Sequence, residues 1–448
     1  MIKKHFAFFI FSPGITLRDM PPPRLPKHAL ESDAQSRQMN ASPIALLISA
    51  CVFIGLAQTV VEAVSFTKSP PAIIGSERSW QFITGFQALT EHHILGKGKD
   101  SWYGSTDAGG SWNKIFVGKS NTIRNDVTAV VIQNGVAHNF GSIPKVNGSK
   151  LEHFFSFNSS FTTFFLYDEI TKQFKFSLRS QSILFTGIPE PGVTCGNSKM
   201  AYGCPFRTGG RGVVELVENG KNVFVQSIIV YMNGEKYANP RPELKDYATT
   251  VIAFRSSDGG FTWNYAGVIL AASAVPQSEE GPNENDLVVL KDGKTILSVI
   301  RLDAGDGYLT HRYAPYVTVT STDGGFTWSK PTELPNTVGC ARPRLLLLGS
   351  TLVLSGGRLS PTNRDILIWT DENGDGKQWR QQSVSYIHNE LAKNNSSIPK
   401  FTSLVNNSES RQSTSYTSLL RTGPRSGIIT YGIIINKTGT AFSMAFEV

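Results

Sequence analysis

One short turn is written twice in this chain: Ser256 to Trp263 reads SSDGGFTW and Ser321 to Trp328 reads STDGGFTW. In each copy an aspartate, Asp258 or Asp323, stands where its carboxylate can accept from backbone N–H groups ahead of it. The glycine pair that follows tolerates positive φ, so the loop is expected to be rigid. The closing indole falls where the next strand begins and covers a large apolar area, which suits a wedge between neighbouring layers of sheet. A looser copy, STDAGGSW, spans Ser105 to Trp112, and TDENGDGKQW, Thr370 to Trp379, is a fourth with inserted residues. Four related turns imply repetition of one supersecondary unit. They are structural devices, and the functional site has to be sought elsewhere.

Between these turns lie short β-rich runs, among them TAVVIQNGVAHNF, DLVVLKDGKTILSVIR, RLLLLGSTLVLSGGR and SGIITYGIIINKTGTAFSMAFEV. Several pairs are joined by D-G-K or N-G-K, a hairpin signature, and amphipathic helix is almost absent. Four-stranded units repeated around an axis form a β-propeller. The interval between the turns at 105 and 256 has room for two further degenerate units, with LYDEITKQF, Leu166 to Phe174, as a worn turn, and the count becomes six blades. The expectation is therefore an all-β, six-bladed propeller over residues 66–448, preceded by an N-terminal extension over 1–65. A tandem of β-sandwiches is the alternative, and it explains the repeated turns less well. The polar stretch from His388 to Arg411 reads as an inserted surface loop.

With 448 residues, 40% hydrophobic and 17% charged, the chain has the composition of an ordered globular protein. Its 43 Lys and Arg against 35 Asp and Glu make it basic without a long basic run. That surplus suits an anionic small ligand. No zinc-finger spacing, RNP motif or basic helix points to nucleic acid. The apolar run Ile44 to Ala57 has the length of a signal-peptide core rather than of a membrane span. Cleavage near Ala63 is expected, with a retained signal anchor as the alternative and Met39 as an alternative start. Entry to the secretory pathway, with the product secreted or anchored at the membrane, agrees with N-glycosylation triplets at Asn147, Asn158, Asn394, Asn395, Asn406 and Asn436. In that compartment Cys195 and Cys204 are near enough in sequence to close a small disulfide loop, leaving Cys340 unpaired and Cys51 in the apolar run. No cofactor is expected and no Cys/His cluster suggests a metal. Asp371, Asn373 and Asp375 imitate a calcium loop, but Gln382 stands where a bidentate Glu is required.

On its four turns the chain resembles the sialidase (neuraminidase) superfamily, whose repeats carry S-x-D-x-G-x-x-W "Asp boxes" (BNR repeats) on a six-bladed propeller. What the resemblance implies is a retaining exo-glycosidase that removes terminal sialic acid, or another acidic sugar, from glycoconjugates without a metal. A sialic acid carries a carboxylate beside its anomeric carbon, so three arginines from three blades converge on it. A carboxylate nucleophile would be repelled by that anion. The family uses a tyrosine instead, activated by a glutamate, and a separate carboxylic acid protonates the leaving group.

Carried over residue by residue, NENDLVVLKDGKTILSVIR resembles the segment with the activating glutamate, Glu284, and the second arginine, Arg301. NRDILIWTDENGDGKQW places Arg364 as the third arginine, with Arg342 and Arg344 in CARPRLLLL as rivals. SYTSLLRTGPRSGIITYG is similar to the nucleophile strand, and Tyr416 takes that role. FRTGGRGVVELVENGK offers Arg211 as the first arginine, with Arg207 as the alternative. ELKDYATTVIAFRSSDGG offers Asp246 as the acid, and an acid placed before the first box would instead fall to Asp100, beside Arg78. A catalytically degenerate propeller that binds glycans without cleaving them is the alternative reading, and a structural or adhesive secreted propeller is a third.

Overall fold

Runs rich in Val, Ile, Phe and Thr, interrupted by Gly- and Asp-bearing turns, fold in this protein as antiparallel hairpins. The computed structural model describes residues 64–77, 86–98, 101–115, 130–133, 136–139, 153–159, 162–179, 183–190, 192–194, 207–232, 248–278, 280–303, 314–334, 341–358, 364–402, 412–413, 415–435 and 438–448. The apolar run at 44–57, all four cysteines, Asn147, Asn406, Asn436, Arg78, Asp100 and Asp246 lie outside them. No helix among the described residues is long and apolar enough to cross a membrane.

The described strands form six sheets. Four are four-stranded; a fifth joins Ser418–Arg421, Ser426–Ile435 and Thr438–Glu447 to the first strands of the described chain. There Ser65 pairs with Glu447 and Ala72 with Ser443, so one sheet is built from both ends and ties the ring shut. The sixth sheet is larger, with eight strands. At its centre Arg207–Glu218, Lys221–Met232, Thr250–Ser256 and Thr262–Leu270 run as an antiparallel meander. Lys221–Met232 is long enough for its far end to pair Val193–Thr194, while Ile183–Thr186 adds in parallel along Thr262–Leu270. These additions correct the expected count: the propeller has five blades of regular size rather than six. Of the two extra units expected before residue 256, one is a four-stranded sheet over 130–179, and the strands of the other have merged into the large sheet.

The repeated turns close on themselves as their sequence requires. Ser105, Ser256 and Ser321 each donate through Oγ to the aspartate two residues on, at 2.8, 2.7 and 2.8 Å. The same oxygens accept from the backbone N–H of Gly109, Gly260 and Gly325 at 2.8, 2.9 and 2.8 Å. Each indole then donates back to that glycine's carbonyl, at 3.1 Å for Trp112, 2.9 Å for Trp263 and 3.0 Å for Trp328. In the fourth turn Asp371 takes the place of the serine and caps Gly376 N–H at 2.6 Å, one residue further on, and Trp379 donates to Gly376 O at 3.1 Å. Three of these turns lean on the preceding sheet: Gly109 lies against Ile428, Gly325 against Val225 and Gly376 against Leu297. Trp112 Nε1 also reaches Ser443 Oγ, 2.9 Å away in the last sheet. The indoles therefore staple neighbours around the ring.

The expectation of a surface loop from His388 to Arg411 is corrected at its start, where residues Val384–Ala392 form an α-helix capped by Ser383, which accepts from Tyr386 N–H. Val384, Ile387, His388, Leu391 and Ala392 share one face by helical spacing, and they pack on the last two sheets. Fully buried His388 sits between Pro399 O, 2.8 Å from Nε2, and Tyr431 Oη, 2.7 Å from Nδ1. A carbonyl only accepts, so Nε2 carries the proton and Nδ1 accepts from the phenol. Burial holds this imidazole neutral, with its pKa down to about 4.

Strand register decides where a site can lie. In the sheet that begins at Gly281, Ile296 pairs with Ser321 at the turn end, and Pro282 with Leu302 at the other. In the next sheet Leu352 pairs with Asp371 at the turn end, and Gly357 with Ile366 at the other. The ends away from the repeated turns carry the residues considered next.

Candidate active site

The first element is a defect in a hairpin. Pro282 opposes Leu302 and Asn285 opposes Ile300, so two residues, Asn283 and Glu284, face the single residue Arg301. This bulge swings Glu284 out of the pleat and beside the guanidinium of its partner strand. Arg301 Nη1 donates to Glu284 Oε2 at 2.6 Å and lies 3.4 Å from Tyr416 Oη. Arg301 is buried and Glu284 partly so. A hydrogen bond also joins the Glu284 carboxylate and the Tyr416 phenol.

Tyr416 stands just before strand Ser418–Arg421, in a segment held on both sides. Ser415, at φ +58°, donates through Oγ to Arg364 O at 3.1 Å, and its N–H donates to Ser413 Oγ at 2.8 Å. Thr417 O accepts from Arg344 Nε at 3.3 Å, and its hydroxyl meets Ser355 Oγ at 2.6 Å. These contacts fix the backbone on either side of the phenol before any ligand arrives.

Two more arginines flank the pair. Asp286, on the same strand as Glu284, accepts from Leu345 N–H at 2.9 Å and binds the neighbouring sheet to it. This brings Arg342 near enough to act electrostatically on Glu284. Arg358 follows strand Thr351–Gly357, and its guanidinium lies 5.5 Å from the centre of the Tyr416 ring. One buried hydroxyl serves both neighbours: Tyr316 donates to Ala341 O and accepts from Gly357 N–H at 3.4 Å.

The charges set the ionisation. Burial pushes the Glu284 carboxyl up, but Arg301 and Arg342 outweigh it and hold the group below the usual carboxylate range. Burial and the Glu284 charge push the Tyr416 phenol up to about 12, against the opposing pull of Arg301 and Arg358. At neutral pH the site therefore holds a carboxylate hydrogen-bonded to an un-ionised phenol and faced by guanidinium groups. It can bind an anion, and it can take the phenolic proton as the oxygen attacks.

Of the residues singled out by sequence, the structure brings Glu284, Arg301 and Tyr416 together. Arg364 meets the Tyr416 segment through its backbone carbonyl. Arg344 lies beneath it, bonded to Thr417 O, and Arg342 lies near Glu284. Arg207 and Arg211 sit on strand Arg207–Glu218, where only the backbone is described, and Asp246 lies outside the described residues. Arg358 was missed. Its signal is S-G-G-R: two glycines that admit close neighbours, ahead of a cation at a strand end. Among the described residues no group of three or more His, Cys, Asp or Glu is placed to hold a metal ion.

No family model matches the chain, and no curated protein matches it in sequence. Among solved structures, it is similar to a protein of unknown function from Dyadobacter fermentans, at 10% identity over 87% of this chain and 100% of that one, with a TM-score of 0.49. It is similar to the Hadza microbial sialidase Hz136 at 14% identity over 80% of this chain, with a TM-score of 0.45, and spans 65% of that protein. The α-L-arabinofuranosidase Arb93A of Fusarium graminearum is 12% identical over 85% of this chain and 98% of its own, with a TM-score of 0.47. At such identities a neighbour's chemistry does not transfer, and what this site does has to come from its own residues.

Proposed function

We propose that the protein is a retaining exo-glycosidase of the sialidase kind, acting on the terminal acidic sugars of glycoconjugates. The observation that carries the reading is the contact of Tyr416 with both Glu284 and Arg301, with Arg342 and Arg358 alongside. A carboxylate on the sugar would be met by these guanidinium groups, and only an uncharged nucleophile approaches an anionic sugar without repulsion. In the first step Tyr416 Oη attacks the anomeric carbon, its proton passes to Glu284, and the glycosidic C–O bond breaks. The leaving oxygen takes its proton from an acid, the role proposed for Asp246. Water then attacks the anomeric carbon of the glycosyl-tyrosine, giving one proton back to the acid-turned-base, the role proposed for Asp246, as the C–O bond to Tyr416 breaks and the phenol is regenerated with the proton held on Glu284. Arg211 and Arg364 remain proposed ligands of the carboxylate. Export through the secretory pathway, with the N-terminal apolar run cleaved or kept as an anchor, is part of the same proposal.

Turnover by the full chain tests the reading. An aryl α-sialoside should be hydrolysed, and an aryl α-L-arabinofuranoside, which lacks the carboxylate, should be left intact. Hydrolysis of the arabinofuranoside with none of the sialoside would overturn the acidic-sugar assignment. Binding of sialic acid with turnover of neither would favour the propeller that binds glycans without cleaving them.

A further inference from the structure

Arg358 closes the run RLLLLGSTLVLSGGR and has no role in the sialidase resemblance, yet its backbone is tightly held beside the site. Its backbone is left-handed, at φ +61°, a conformation that costs a long side chain about 1 kcal/mol and that glycine adopts without penalty. Two glycines lead to it. A Cβ at Gly356 would stand 2.3 Å from Tyr316 Oη, and one at Gly357 would stand 2.1 Å from Asp365 O and 2.8 Å from Ser415 Cβ. The chain is thus pressed between the buried Tyr316 and the segment that carries Tyr416. Arg358 N–H donates to Asp365 O at 3.3 Å, while Arg364 O, one residue earlier, accepts from Ser415 Oγ at 3.1 Å. One short stretch, Arg364–Asp365, therefore holds both the residue that bears the cation and the neighbour of the phenol. The Asp365 carboxylate extends the brace by accepting from Ser385 Oγ in the helix.

We propose that Arg358 is a positioning residue for the Tyr416 phenol: held in a left-handed turn with its guanidinium over the ring, it stabilises the negative charge that develops on the phenolic oxygen during attack. A backbone conformation unfavourable for arginine persists where the surrounding structure over-determines it, and such positions cluster at functional sites. A guanidinium 5.5 Å from the ring centre interacts with the ring face in the neutral state and more strongly with a phenolate. Among the described residues, the other charges acting on the phenol are Arg301, whose Nη1 lies 3.4 Å from the phenolic oxygen, and Glu284, which opposes ionisation; Arg342 acts on Glu284. Among the described residues, Arg358 is the cation whose guanidinium lies over the ring face. The inference rests on the reading of Tyr416 as nucleophile, but it is testable without substrate.

The experiment replaces Tyr416 by 3,5-difluorotyrosine, whose phenol titrates at lower pH, and follows its 19F shift in the full chain. Arg358→Gly removes the cation and suits the left-handed backbone, so the fold is kept. The midpoint should rise by roughly one pH unit or more, the size of a charge interaction at this distance in a partly screened site. Arg358→Lys should recover part of the shift. Arg421→Met, which removes an arginine from the turn end of the Tyr416 strand, should leave the midpoint in place. An unchanged midpoint in Arg358→Gly, or an equal rise in Arg421→Met, would overturn the proposal. A shifted midpoint in a protein that hydrolyses no sialoside would uphold Arg358 while removing the glycosidase reading, and turnover with an unshifted midpoint would do the reverse.

Discussion

Tyr416→Phe is expected to lower turnover of an aryl sialoside by at least about a thousandfold while leaving affinity for free sialic acid within a few-fold of wild type. The substitution removes one oxygen. That oxygen contacts Glu284 and Arg301 and is the proposed nucleophile, whereas Arg301, Arg342 and Arg358 stay in place to hold a carboxylate. A loss confined to kcat is the mark of a group that acts only in the transition state. Asp246→Ala gives the contrasting pattern: an activated aryl group departs without a proton, so that variant should spare the aryl substrate and fail on natural glycosides. Kinetics with both substrates would check this. A Tyr416→Phe protein that keeps more than about a tenth of wild-type kcat would remove the tyrosine from the chemistry.

Arg301→Ala should cost about 3 kcal/mol of stability, because breaking a buried ion pair from one side leaves the other charge uncompensated. The estimate is taken at the low end of the usual range since Glu284 keeps an exposed edge and Arg342 remains nearby. The sign of the pH dependence gives the sharper test. In the native protein the Glu284 carboxyl is held below its ordinary value, so its contribution is present above the unfolded pKa of about 4.3 and is lost as pH falls through the folded value. Without Arg301 burial prevails and the carboxyl is pushed up, so the variant should regain stability relative to wild type as the solution is acidified. Urea unfolding at neutral and acid pH reads both effects. The double variant Arg301→Ala/Glu284→Gln should recover more than half of the loss at neutral pH. No recovery there, and none on acidification, would show that Arg301 stabilises the fold by packing alone.

The parts of this molecule that could be read from sequence are those whose causes are local. The repeated turns are closed by bonds between residues at most six apart, so a segment of eight to ten residues contains the whole structure of the turn. Glu284 and Arg301 belong to one hairpin, and the bulge that joins them lies within the segment that drew attention to both. The helix at Val384–Ala392 reads as a loop from His388 onward although its signals are local, a serine cap and apolar residues at 384, 387, 391 and 392, because its outer face is polar. What escaped depends on distant strands meeting. Ile183–Thr186 joins Thr262–Leu270 in parallel across nearly eighty residues, a pairing that no local pattern announces and that turned an expected blade into part of a larger sheet. Arg358 escaped for the same reason. Its place over Tyr416 follows from carbonyls at 364 and 365 that grip both segments, a relation between backbones rather than between motifs.

The claim at the centre of this account is a covalent bond to one phenol. Incubating the full chain with a 3-fluorosialosyl fluoride, in which the electronegative substituent slows release of the sugar, and mapping the adduct by mass spectrometry tests it most directly. The account predicts a single glycosyl adduct on the peptide bearing Tyr416, absent in Tyr416→Phe and in Glu284→Gln. An adduct on a carboxylate, or hydrolysis of an aryl sialoside with no adduct under conditions where turnover is blocked, would contradict it.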